Sequence, residues 1–172
     1  MPCFPHVPTD NQKRKSTASS VLPIFWSGLL NMASERGMLL HKNCQPHSGN
    51  RLGADVGQPG IKLNYTVWPD GSAVELLIDT GSQQENKHIF DRLHDQKTKI
   101  AVRFKGLLVW DRQDQQSPPR IRFTIPGGGL NDRVHWTYLQ ERLVKVMRLF
   151  AAVLTPEIHA SVSADKRLAR VA

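Results

Sequence analysis

Cysteine is almost missing from this chain: Cys3 and Cys44 are the two among 172 residues, and neither stands in a C-x-x-C or similar spacing. That excludes a disulfide framework and fits a reducing compartment. Long apolar runs are missing too. No stretch approaches the roughly 18 apolar residues of a membrane span, and the first ten residues alternate proline with polar residues where a secretory signal would be apolar. The expectation is a cytoplasmic protein that does not enter the membrane. Also absent are the Gly-Lys-Ser/Thr ending of a P-loop and the G-x-G-x-x-G of a dinucleotide-binding unit. Gly127-Gly128-Gly129 therefore reads as a flexible turn before a helix, and no cofactor is expected.

What is present suits one domain with a sizeable core. The formal charge is +8, which makes an anionic partner worth weighing. Half of that excess sits at the ends, in Lys13, Arg14 and Lys15 against Asp10 and in Lys166, Arg167 and Arg170 against Asp165. The remainder, spread over the middle, reads as solubility before it reads as a binding footprint.

Residues 1–19, rich in proline and then in polar residues without a period, are expected to be a disordered tail. Residues 20–158 read as a single α+β domain, and residues 159–172 as a basic tail. Phe25, Trp26, Leu29, Leu30 and Ala33 recur at helical spacing, with Gly37 suited to the helix end. A loop over 41–60 follows, long for a compact domain and so either mobile or functional. Ile61, Leu63, Tyr65 and Val67 alternate with polar residues, Pro69-Asp70-Gly71-Ser72 is a turn by its chemistry, and Val74, Leu76 and Ile78 return as a second strand. Ser82 with Glu85 forms a capping box for a second helix that Ile89, Phe90, Leu93, Ile100 and Phe104 continue. Strands over 107–112 and 120–126 precede a third helix, in which Trp136, Leu139, Leu143, Val146, Phe150 and Val153 step by threes and fours until Pro156 stops it. The order α-ββα-ββα predicts a four-stranded, largely antiparallel sheet with three helices on one face. A weak internal duplication would account for the repeated order. The alternation then puts Lys62, Asn64, Thr66, Glu75, Arg120, Arg122 and Thr124 on the open face.

Three constellations could carry chemistry. Pro69-Asp70 followed by Glu75 has the outline of a Mg-dependent nuclease site, in which an aspartate and a strand glutamate hold the metal. The lysine such a site wants two residues on is here Leu77, so a turn aspartate and an outward strand glutamate facing a cation outweigh the catalytic reading. His41, Cys44 and His47 form His-x-x-Cys-x-x-His, which could ligate zinc. A structural site needs a fourth ligand, none stands at the usual spacing, and no metal is expected. Arg142, Lys145 and Arg148 make a basic stripe on the third helix, where Glu141 can pair with Lys145 as on any solvated face.

Phe25-Trp26-Ser27-Gly28-Leu29-Leu30, Val74-Glu75-Leu76-Leu77-Ile78-Asp79 and the segment from Glu85-Asn86-Lys87 to Leu93 resemble the bacterial family of the domain of unknown function DUF4268. Val109-Trp110, Arg120-Ile121 and the aromatic start of the third helix fit the same pattern, so that the resemblance spans about residues 24–155. It implies an accessory role near DNA-processing or defence proteins, since members often follow a nuclease-like domain, and it transfers no catalytic residue. The sequence as a whole reads as a non-catalytic binding module for a protein partner or nucleic acid. Its expected contacts are Lys62, Trp110, Arg120 and Arg122 on or near the open face. The alternative is a metal-dependent nuclease or its remnant using Asp70 and Glu75.

Overall fold

The computed structural model describes residues 10–113 and 117–168, with only the helical backbone described for 10–20 and 164–168. Five strands form one sheet in the order β1-β2-β3-β5-β4, every neighbouring pair antiparallel. These are β1 (Arg51–Asp55), β2 (Ile61–Trp68), β3 (Gly71–Ile78), β4 (Val109–Asp111) and β5 (Arg120–Ile125). Four α-helices accompany them: α1 (Asp10–Glu35), α2 (Gln83–Asp95), α3 (Lys97–Phe104) and α4 (Trp136–Leu168), the last entered through a single 3-10 turn, Arg133–His135.

The α+β class and the antiparallel sheet agree with the sequence pattern; the counts differ from the four strands and three helices expected. The extra strand, β1, lies inside the expected 41–60 loop. Its five residues carry one buried apolar side chain, Leu52, too little for a period to show. What makes it a strand is the outer edge of β2, whose backbone groups need partners and take them from Arg51 to Asp55. The extra helix comes from a break at Gln96, whose N–H bonds the Leu93 carbonyl. Residues 94–99 include no aliphatic side chain to hold a straight path, and beyond them α3 turns so that Phe104 meets the rings of Phe123 and Phe150.

The helix ends also depart from expectation. Helix α1 begins at Asp10, inside the segment read as a disordered tail, and α4 runs through Pro156 into the segment read as a basic tail. Residues 1–9 and 169–172 of those tails lie outside the described residues. Proline inside a helix loses one backbone hydrogen bond and crowds the preceding turn, at about 3 kcal/mol. Ile158 and Ser161 beyond it are nonetheless buried, and Glu157 pairs with Lys99 and Arg103 of α3 at 2.9 and 3.0 Å, so tertiary contacts hold the helix on course.

All of this packs on one side of the sheet. Ile61, Leu63, Tyr65 and Val67 of β2, Val74, Leu76 and Ile78 of β3, and Ile121 and Ile125 of β5 meet Leu139, Leu143, Met147, Phe150 and Leu154 of α4 in one contiguous core. Phe25, Trp26 and Leu29 of α1 close it from above. Gly28 is what lets α1 and α4 approach: a Cβ there would stand 2.6 Å from Nε2 of Gln140, whose amide instead donates to the Phe25 carbonyl at 2.9 Å.

Candidate binding face

With the helices on one side, the strands' register decides what the other side presents. Residues paired across antiparallel strands share a face, so the pairings build three rows across the helix-free side. The first is Arg51, Thr66, Ala73 and Thr124; the second is Gly53, Asn64, Glu75, Arg122 and Val109; the third is Asp55, Lys62, Leu77, Arg120 and Asp111. All seven residues that the alternation assigns to this face are on it.

Glu75 sits in the middle of the second row and is wholly buried. A carboxylate taken out of water must be paired and hydrogen-bonded to remain ionised at modest cost. Here Arg51 reaches Oε1 with its Nε at 3.1 Å and Arg122 reaches Oε2 with a terminal nitrogen at 2.9 Å and its Nε at 3.3 Å, while the Asn64 amide donates to Oε1 at 3.4 Å. The two arginine side chains remain 37% exposed. They lie over Glu75 as a roof, the Arg122 guanidinium hydrogen-bonded to the carboxylate along one edge and the Arg51 guanidinium ion-paired with it. The charge-assisted bonds from Arg122 fix the plane of its guanidinium as well as its position. Beyond the rows, the Trp68 indole packs on Gly71 at the end of the same hairpin.

Among the residues expected to make contacts, Lys62, Arg120 and Arg122 share this face. Trp110 does not: its position in β4 turns it to the helix side, where its ring meets those of Phe90 at 6.0 Å and His94 at 5.4 Å. A strand read without its register leaves such a residue free to point either way, and the pairing of Trp110 with Ile121 settles it. Arg51 was missed because it stands in β1. Its only signal is the isolated Leu52 beside it in an otherwise polar stretch.

The two carboxylates of the nuclease reading are engaged separately. Asp70, in the β2–β3 turn, accepts from the Asn131 amide at 3.0 Å, and the backbone of Asn131 donates to the Pro69 carbonyl, so the loop after Gly127-Gly128-Gly129 is docked on that turn. Glu75 has both oxygens in guanidinium ion pairs. His41, Cys44 and His47 each take a different partner. His41 lies in the core with Nε2 3.0 Å from the Leu63 carbonyl, the Cys44 thiol donates to the Gly53 carbonyl at 3.3 Å, and His47 accepts from the Gly49 N–H. Burial pushes His41 down to about 4 and raises Cys44, the nearby Asp55 adding to the latter. Among the described residues no group of three His, Cys, Asp or Glu side chains converges as a metal would require, and no helix is long and apolar enough to cross a membrane.

Neither a curated protein nor a solved structure matches the chain. A family model does, over residues 24–158, a span that takes in the sheet, its arginine roof and the helices that back it. The chain belongs to the family of the domain of unknown function DUF4268.

Proposed function

We propose that this domain is a non-catalytic module that binds a protein partner through the helix-free face of its sheet. The observation that carries the reading is the burial of Glu75 beneath Arg51 and Arg122. It gives a preorganised surface of partly exposed guanidiniums, one of whose two charges is answered by the carboxylate below. Arginine is enriched in protein interfaces because a fixed guanidinium offers both donors and a stacking plane. The rows hold four cations, Arg51, Lys62, Arg120 and Arg122, against Asp55, Glu75 and Asp111. A polyanion would gain little from so balanced a field, since phosphate binding draws its strength from uncompensated charge. At the rim, Val109 is 58% and Leu107 92% exposed, apolar area that a protein partner can cover. An accessory role beside a DNA-processing or defence protein accords with such a surface.

The test uses a photo-crosslinking residue at Lys62 or Thr124 on the face and, as control, at Lys145 on α4. Discrete protein adducts from the face alone, abolished by Arg51→Ala/Arg122→Ala, are the expected result. In parallel, labelled duplex and single-stranded DNA are titrated at two salt concentrations. Tight, salt-sensitive DNA binding that Arg120→Ala/Arg122→Ala removes would reassign the face to nucleic acid.

A further inference from the structure

Between the end of α1 and the segment that follows lies a cleft of about 230 Å3 lined by Leu30, Ala33, Ser34, Met38, His41 and Cys44. The path of this segment is set by two short turns, Lys42 N–H to the Leu39 carbonyl and Cys44 N–H to the His41 carbonyl. Hydrogen bonds of this span give about three residues per turn, which brings His41 and Cys44 to one side, and Met38, just ahead of the first turn, borders the same cleft. The three are a thioether, an imidazole and a thiol, all bordering one cleft.

His41 supplies the second observation. It is 1% exposed, and its Nε2 lies 3.0 Å from the Leu63 carbonyl. A carbonyl can only accept, so Nε2 carries the hydrogen and Nδ1 is left with a bare lone pair. That Nδ1 is buried and has no hydrogen-bond partner. A buried acceptor in that condition has lost water without a replacement, and such orphans mark places where something else can complete the shell. The backbone bond on the far nitrogen is also the arrangement that orients a metal-ligating imidazole.

We infer that Met38, His41 and Cys44 form a binding site for a soft monovalent cation, Cu(I). Thioether and thiolate sulfur with one imidazole nitrogen is a donor set that selects this ion over harder divalent metals. Three donors satisfy it, so the missing fourth ligand that counts against zinc at His41, Cys44 and His47 does not arise. Binding replaces the Cys44 S–H proton by the metal and releases one proton to solvent. The thiolate then cancels the ion's single charge, as a site at the edge of an apolar core requires. The site uses Met38 where the sequence pattern offers His47, and it is independent of the sheet face on the other side of the molecule.

The full-length chain, reduced and metal-free under argon, is titrated with Cu(I) in acetonitrile and competed with bicinchoninate. One Cu(I) per chain and one proton released are expected. Affinity should be unchanged in Cys3→Ser, at least roughly 100-fold weaker in Cys44→Ser and at least roughly 10-fold weaker in Met38→Leu. Both altered ligands lie nearer the surface than His41, and unchanged circular dichroism will show that the variants fold. X-ray absorption of the complex should give two sulfur neighbours and one nitrogen. Removal of all copper from the wild type by the chelator, retention of copper by Cys44→Ser, or an affinity indifferent to Met38→Leu overturns the site.

Discussion

At the scale of single residues, two buried ionisable groups show opposite solutions to one problem. Glu75 is met by two guanidiniums and an amide, whereas His41 has no counter-charge and burial disfavours its charged form. In Arg122→Ala the buried carboxylate loses half of its cationic shell; because the guanidinium is partly exposed, a loss of about 1 to 3 kcal/mol is expected in urea unfolding. His41 titrates at about 4 in the fold and near 6.5 when unfolded. Between those values the unfolded chain binds the additional proton, so stability is full above pH 6.5 and falls as the pH drops toward 4. The loss should reach about 3 kcal/mol in the metal-free protein. Urea midpoints measured from pH 7 to pH 4 should show this slope, and His41→Leu should flatten it.

Turns and helix continuations, at the scale of elements, decide more than propensity does. Gly60 joins β1 to β2 with φ of +77°, and a Cβ there would stand 2.5 Å from the Asp79 carbonyl oxygen and the Thr80 Cα. Both obstacles are backbone and cannot turn aside. Gly60→Ala should cost at least about 2 kcal/mol and loosen the β1 edge, read as faster amide exchange at Leu52 and Ala54. Pro156 is the reverse case. The helix continues through it because Ile158 is buried and Glu157 is bound by Lys99 and Arg103. Restoring the backbone donor with Pro156→Ala should raise stability by about 1 to 3 kcal/mol, visible as a higher Tm. Reading Pro156 as a stop was sound locally; the contacts that override it come from residues more than fifty positions away.

For the whole molecule, one core on one side of one sheet makes Leu76, wholly buried at its centre, a position on which everything depends. Leu76→Ala should cost about 2 to 5 kcal/mol in cooperative unfolding. The two-residue period of β2 and β3 and the three-and-four spacing of α1, α2 and α4 were legible because burial on one side imposes them residue by residue. For the same reason the sequence alone placed Lys62, Glu75, Arg120 and Arg122 on a common face. It determined the α+β class, the hairpin at Asp70 and the polarity of that face. Only the tertiary structure decided that Arg51 joins Glu75, that Trp110 turns to the helices, and that Met38, His41 and Cys44 share a cleft. Each of these depends on which backbone edge pairs with which and in what register. Such pairings are set by satisfying hydrogen bonds between distant segments, and they leave no period in the sequence.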